Sequence, residues 1–443
     1  KFLSPRSEAL GEALCVIFGI ADEARAKQVV SSVPLTDFGI SCIYPQIPNI
    51  PPYHNNAVWP FVQSYWLWAA AKAGNEKAVL EAISDVYRPA ALFLTNKENF
   101  VVDNGDYNGT QVNSSIMLWS LSGNISIVQK VLFGIRFNQE GIRFEPFVPA
   151  SMAGKRTLTN FRYRDAVFNI EMEGYGNKIR SFIIDGKPQL GFGITASLKG
   201  SHNIKIILAN NAAGQQKINK VANYVTVSNP SAKLNDNVIS WDPVKGAVSY
   251  KILQNGKPIS QTAKPSYTIA GNGFGEYSVI AVDAKKVESF ASEPVVFEGT
   301  VWQQSTEMET LAGTASYAYK GYSGNGFAEI SNTVNKTIDI PVDVPMTGTY
   351  LVSFRYANGN GPVNTENKCA VRSLKLDGTE KATVVFPQRG KDEWSNWGIS
   401  NKVKLSLAAG KHTITLSLED YNDNMNGEIN QAMLDQFTII NID

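Results

Sequence analysis

The spacing of apolar residues changes at Gly141, and that change limits what this chain can fold into. Before it, apolar residues recur every three or four positions, the period of a helix with one buried face. After it they alternate, as in Val167-Phe168-Asn169-Ile170-Glu171-Met172-Glu173, the period of a strand. Helices are expected over Glu8–Phe18, Asp22–Val33, Phe61–Ala73, Glu76–Phe93 and Ser115–Leu132. Asp22 stands where an N-cap should, Pro34 closes the second segment, and Gly74 follows the third as a C-cap would. Asp185-Gly186 marks a hairpin. At 443 residues the chain exceeds what one hydrophobic core serves, so several domains are expected.

Charge excludes some partners. Lys and Arg number 41 and Asp and Glu 40, a net charge of +1, so no long-range field draws the chain to nucleic acid or an acidic membrane. No apolar run reaches the roughly 18 residues that argue for a membrane span. Cys15, Cys42 and Cys369 are an odd, scattered set with neither a disulfide framework nor metal spacing, and free thiols are expected. Lys1-Phe2-Leu3-Ser4-Pro5 reads as the middle of a domain, so the lack of a signal peptide carries no weight.

The stretch Pro51–Val62 ends in Trp59-Pro60 and runs straight into a helix. Pro fits a first helical turn, where its missing N–H costs nothing. The loop offers His54, Asn55, Asn56, Tyr53 and Trp59, flat faces and fixed hydrogen-bonding groups that suit a sugar. Tyr53-His54-Asn55-Asn56 followed by Val58-Trp59-Pro60 resembles the Y-x-N/R-G-x-x-W-P segment of six-hairpin, (α/α)6-toroid glycosidases, the clan of glycoside hydrolase families 15, 63, 65, 78 and 94. Asn56 and Ala57 replace the usual Gly. Arg6–Gly11, Ile17–Asp22, Leu118-Trp119-Ser120 and Leu132–Ile135 match as well, over about the first third of the chain. About five helices stand where a toroid has about twelve. The resemblance therefore implies that residues 1–138 are the C-terminal half of a toroid with its other half upstream; the alternative is a smaller helical bundle. Residues 139–212 resemble the small β-sandwich that closes such enzymes.

Residues 223–298 resemble a fibronectin type III domain, through Val238–Val244 with Trp241, Tyr250-Lys251-Ile252, Asn255-Gly256-Lys257 and Tyr277-Ser278-Val279. Residues 299–443 resemble a carbohydrate-binding module of families 6 or 35. The matching pieces include Glu307-Met308-Glu309, Gly321–Phe327, Gly348–Ala357, Trp394-Ser395-Asn396-Trp397 and Met433–Ile439. This likeness implies a structural Ca²⁺ held by Glu307, Glu309 and Asp435, since hard oxygen ligands suit that ion. It also implies sugar contacts from Tyr322, Asn325, Trp394, Trp397 and the Asn422–Asn426 segment with Asn424. The expected fold class is thus multidomain α plus β, a partial (α/α)6 toroid followed by three β-sandwich domains.

Glycoside hydrolysis uses two carboxylates, and the clan that this chain resembles mostly inverts. Lys97–Thr110 lies where that clan carries its base. Asp106 precedes Tyr107 and follows Gly105, Asp103 is the next choice, and Glu98 the third; Asp106 could instead cap its own turn. None of Glu8, Glu12, Asp22, Glu23 and Asp37 serves as the acid, which the resemblance places upstream. Tyr53, His54, Asn55, Asn56, Trp59 and Trp119 are the candidate substrate contacts, and Trp59, His54 and Asp106 are expected to line one cavity. His54 has no ligand-spaced partners for zinc, and no cofactor is expected for catalysis. The expected function is inverting hydrolysis of an α-linked oligosaccharide or polysaccharide by a secreted, periplasmic or cell-surface protein. The alternatives are a non-catalytic glycan-binding protein and a glycoside phosphorylase, which would need an anion pocket.

Overall fold

Pro60-Phe61-Val62-Gln63-Ser64-Tyr65-Trp66-Leu67-Trp68-Ala69-Ala70-Ala71-Lys72 is apolar on nearly every side, and it becomes a buried helix. In the computed structural model, which describes residues 6–212, 217–313, 319–362 and 366–443, this helix is α3 of a cluster. The others are α1 (Ala9–Ile17), α2 (Glu23–Ser32), α4 (Glu76–Phe93) and α5 (Leu118–Ser126). All four touch α3. Local chemistry sets their ends. Asp22 accepts a hydrogen bond from the Arg25 N–H at 2.8 Å and caps α2, and Asn75 accepts from Ala78 N–H and caps α4. Leu94 ends α4 in a left-handed conformation, φ 53°. Gln63, fully buried, donates to the Ile40 carbonyl at 2.7 Å and accepts from the Ile40 N–H at 3.1 Å, which stitches α3 to the short strand Gly39–Ile40.

The expected partial toroid is not built. The described residues are 17% helical and 40% strand and hold six α-helices. A toroid arranges its helices in an inner and an outer ring. Helix α3 instead buries most of its surface at the centre of its neighbours. Short ladders interrupt the helices: Ser7–Glu8 with Ile43–Tyr44, and Ala57–Val58 with Phe100–Val101. The expected helix Ser115–Leu132 begins at Leu118 and turns into a π-helix over Ile127–Leu132. The reading of Lys1–Pro5 lies outside the described residues.

The rest of the chain forms three β units, each with two sheets on a shared apolar core. In the first, Lys155–Tyr163, Ala166–Glu173, Ile179–Ile184, Lys187–Pro188 and Gly200–Leu208 face Ile135–Phe137, Gly141–Phe144 and Gly193–Thr195. In the second, Ile239, Trp241, Tyr250, Ile252, Tyr277 and Val279 meet, with Trp241 edge-on to Tyr250 at 5.1 Å. In the third, Thr337–Val344 buries Ile338, Ile340, Val342 and Val344 on alternate positions. Pro341 lies in that strand, which is at a sheet edge, where a missing N–H is tolerated. Residues between the first two units return to the helices. Asn219–Lys220 adds a parallel strand beside Pro34–Leu35, and Gln46 exchanges backbone bonds with Tyr224 and Thr226.

Asp85 on α4 is 7% exposed, and its Oδ2 has no hydrogen-bond partner among the described residues. Burial pushes its carboxyl up to about 7, with Lys220 and Arg88 opposing and Glu81 reinforcing. A carboxyl held above its unfolded value of 3.8 binds its proton more tightly in the folded chain, so its contribution to stability falls as pH rises from about 4 to about 7. Replacing Asp85 with Asn removes that loss. Thermal unfolding is expected to show Asp85→Asn raising the melting temperature more at pH 8 than at pH 4.5; an equal shift at both would refute the buried-acid account.

Candidate functional site

One face of α3 stays open. Phe61, Tyr65 and Trp68 follow the i, i+4, i+7 spacing of a single helical stripe, and Tyr65 is 40% exposed. Trp119 on α5 stacks on Phe61 with centroids 4.7 Å apart and is 45% exposed. The two helices approach at Gly123, where an added Cβ would lie 2.2 Å from the Ser64 Oγ, so a larger residue would force them apart. The result is a cleft of about 340 Å³ lined by Phe61, Tyr65, Trp68 and Trp119 with Ser64, Ser122, Ser126 and Gln129. Flat faces beside hydroxyls and an amide form a lining suited to sugar rings.

The Tyr53–Trp59 loop supports this cleft from behind. Trp59 is 1% exposed, donates from Nε1 to the Tyr53 carbonyl at 2.6 Å, and meets Trp119 edge-on at 5.7 Å. It is therefore a buried prop and has no face for a ligand. His54 is exposed and stacks on Trp59 at 5.0 Å. The Asn55 side chain bonds Ile47 and Ile50 backbone groups, which commits it to folding the loop. Asn56, standing where the resembling segment has Gly, adopts φ 53°, a left-handed conformation that Asn tolerates better than most residues.

The acids separate by environment. Asp106 Oδ1 accepts from the Asn108 N–H at 2.9 Å, the turn-capping role that was the alternative for it. Asp103 is exposed and accepts from Asn223 Nδ2 at 2.8 Å. Glu98, the third choice, is 5% exposed; it accepts from the Tyr53 hydroxyl at 2.9 Å and the Ser114 N–H at 3.1 Å. That bond pushes the Tyr53 phenol above its ordinary range. Asp106 and Asp103 are tied to the loop through the Ala57–Val101 ladder and Val102 N–H to Asn56, yet Asp106, Trp59 and His54 all lie outside the lining of the aromatic cleft. Sequence reasoning missed Tyr65 and Trp68, although their helical spacing was the available signal.

A second cluster lies in the C-terminal unit. Glu307 ends strand Gln303–Glu307, whereas Glu309 opens the one-turn helix α6 (Glu309–Ala312). Met308 turns the backbone between them. Both still reach the loop at Gly324, where an added Cβ would lie 2.9 Å from Glu309 Oε1 and 3.0 Å from Glu307 Oε2. Ser323 bridges, with its Oγ donating to Glu307 at 2.8 Å and its N–H to Asp435 at 2.8 Å. Asp435, fully buried, pairs with the Arg355 guanidinium. Burial pushes the Asp435 carboxyl up, and Ser323 and Arg355 oppose that. Glu309 Oε2 is buried without a partner among the described residues. Among the described residues no group of three or more His, Cys, Asp or Glu is arranged to hold a metal ion.

Beside this cluster, Trp397 donates from Nε1 to the Lys320 carbonyl, lies 5.4 Å under the Arg355 guanidinium and faces Tyr322 edge-on at 6.5 Å. Trp394 stacks with Tyr319 at 5.8 Å and covers Gly359. Asn325 is exposed, and its N–H donates to Glu309. Asn424 spends its amide on the carbonyls of Cys369 and Ile429 and on the N–H groups of Asn426 and Gly427, so it shapes its loop.

No protein-family model matches the chain. It is similar to a cycloisomaltooligosaccharide glucanotransferase of Niallia circulans, 28% identical over 121 residues, which are 27% of this chain and 11% of that protein. An exo-beta-D-glucosaminidase of Amycolatopsis orientalis is 28% identical over 180 residues, 41% of this chain and 16% of that one. A 1,6-alpha-glucosyltransferase of Sporosarcina globispora is 24% identical over 257 residues, 57% and 18% of the two chains. The chain thus spans less than a fifth of the length of these curated relatives, all carbohydrate-active enzymes. Among solved structures, a family 35 carbohydrate binding module from Clostridium thermocellum is 19% identical over 31% of this chain and 97% of its own, at a TM-score of 0.24. A likeness at that TM-score bears on no assignment. No helix among the described residues is long and apolar enough to cross a membrane.

The contrast between the acids is measurable as stability. Glu98→Ala strips partners from the Tyr53 hydroxyl and the Ser114 N–H, and roughly 1–3 kcal/mol is expected to be lost. Asp106→Asn keeps an oxygen that can accept from Asn108, so a change within about 0.5 kcal/mol is expected. Urea denaturation of both variants checks this, and a larger loss for Asp106→Asn would reverse the assignment.

Proposed function

We propose that this chain is part of an extracytoplasmic enzyme acting on glycosidic bonds. In this reading the helical cluster receives a saccharide in its aromatic cleft, and the C-terminal β unit binds glycan and a structural calcium ion. The observation that carries the proposal is the open aromatic stripe of α3 facing Trp119, a large stacking surface left at the surface of an otherwise buried helix. The similarity of parts of the chain to enzymes named for glucan and glucosyl transfer supports action on glycosidic bonds in coarse form. The finer reading is hydrolysis of an α-linked glycan with Asp106, Asp103 or Glu98 as the working carboxylate. Both aspartates are bound into turns or side-chain contacts, which favours the non-catalytic glycan-binding reading as the second choice.

The two readings separate in one set of assays. Titration with α-linked oligosaccharides is expected to show Trp119→Ala and Tyr65→Ala each weakening binding, because a lost stacking partner costs about 0.5–1.5 kcal/mol. Undiminished binding in both variants removes the cleft from the proposal. Sugar release lost in Asp106→Asn or Glu98→Gln, with binding retained, supports catalysis; binding without any release favours the binding protein.

Calcium is proposed at Glu307 and Glu309 with Asp435. The donors are hard oxygens, one of them buried and unpartnered, and two of them converge on Gly324. A bound ion would tie the end of the strand Gln303–Glu307 to the Tyr322–Asn325 loop. Binding to the folded state alone adds about 2.7 kcal/mol at a hundredfold excess over Kd, so added Ca²⁺ is expected to raise the melting temperature and a chelator to lower it. The shift should vanish in Glu309→Gln. An unchanged transition with and without chelator would reject the ion.

A further inference from the structure

The open stripe of α3 does not end at Trp68. Lys72 continues it by four residues, one turn on, and there the groove changes character. Between the helical cluster and the first β unit lies a second cleft of about 680 Å³. Lys72, Lys130, Arg136, Arg143 and Lys178 line it, and among the described residues Glu145 is the only carboxylate in its lining. Glu145 is already shared, 3.5 Å from the Arg136 Nε and 3.3 Å from the Arg143 Nε. Five cations therefore face one carboxylate, in a chain whose net charge is only +1. Trp68 and Lys130 line both clefts, so the aromatic and basic halves are continuous. The Arg136 guanidinium lies 4.7 Å from the Trp68 ring centroid and donates to the Lys130 carbonyl at 2.6 Å, which fixes it at the junction. Burial pushes both Lys130 and Arg136 below their ordinary ranges, and Glu145 only partly offsets this at Arg136. An anion in the cleft would relieve that cost.

We propose that this continuous groove binds an anionic oligosaccharide, with a sugar ring on Trp119 and Tyr65 and carboxylate or sulfate groups against Lys72, Lys130 and Arg136. The inference deepens the sugar reading of the aromatic cleft and rests on it. A free anion such as phosphate would use the basic half alone and leave the contiguous aromatic half without a role. A neutral glucan would leave the five cations without one.

The test is titration of the intact chain with trigalacturonate, its carboxyl-reduced neutral counterpart, a chondroitin sulfate tetrasaccharide and inorganic phosphate. Binding of at least one acidic saccharide about tenfold tighter than the neutral one, weakening steeply with salt, is expected. The preferred acid identifies carboxylate or sulfate as the group read. Lys130→Gln with Lys178→Gln should abolish the preference for the acidic saccharide over the neutral one, and Trp119→Ala should weaken both kinds of ligand. This cation pair avoids Arg136, whose loss would disturb packing on Trp68. Acidic-saccharide affinity left unchanged by Trp119→Ala belongs to another unit of the chain and overturns the proposal. Equal affinity for acidic and neutral saccharides also overturns it, yet leaves the sugar cleft standing. Phosphate binding as tightly as the acidic saccharides, indifferent to Trp119→Ala, would replace it with a free-anion site. No binding of any saccharide would sink both the groove and the reading beneath it.

Discussion

Burial of α3 on three of its sides is the constraint to which the N-terminal part of this protein answers. Apolar surface removed from water contributes about 25 cal/mol per Å², and a helix with Val62, Trp66, Leu67, Ala69 and Ala70 in its core has much of it to hide. That demand places α1, α2, α4 and α5 around it, makes Gln63 serve both backbone groups of Ile40, and requires glycine at position 123 so that α5 can close in. The side left open is the one with Phe61, Tyr65, Trp68 and Lys72. The candidate site is thus a by-product of how the core is filled, a cleft where the last face of the central helix has no covering neighbour.

The two clusters solve the problem of buried charge differently. Glu98 is satisfied by one hydroxyl and one backbone N–H, so its carboxylate holds the Tyr53 loop in place behind Trp59. In the C-terminal unit, Asp435 is paired with Arg355 and bonded by Ser323, while Glu309 keeps an oxygen without a partner. A buried ion paired and hydrogen-bonded on all sides is structural; a buried oxygen left over is where a ligand has something to gain. The difference gives Glu309 more interest than its position on a short turn would suggest. Elsewhere the protein repeats one local device. Asp185 with His202, and Asp377 with His412, each join an Asp-Gly turn to the neighbouring strand, the aspartate accepting from the imidazole and from the N–H of the next residue. Each pairing pushes its imidazole above the ordinary range.

Several features were legible in the sequence because they depend on near neighbours alone. The N-cap at Asp22, the Pro at the start of α3, the end near Gly74, the Asp-Gly turn and the alternation of Val167–Glu173 are each decided within a few residues. The turn role of Asp106 was visible for the same reason. The toroid was misjudged because helical periodicity reports that a segment has a buried side without saying which segment covers it. The same limit made Trp59 look like a ligand contact. Its indole is as apolar in a core as in a pocket, and only the position of Trp119 over it shows which it is.

By itself, then, the sequence determined where backbone conformation must change, which segments are helical or extended, and which residue types are available for saccharide and ion chemistry. These follow from local sterics, capping and periodicity. Tertiary structure alone decided that Tyr65 and Trp68 share a cleft with Trp119, that Arg355 neutralises Asp435, and that five cations from α3, the π-helix and the first β unit gather around Glu145. Those groupings join residues far apart in the chain. Their energies depend on distance and on exclusion of water, and neither quantity exists until the chain has packed.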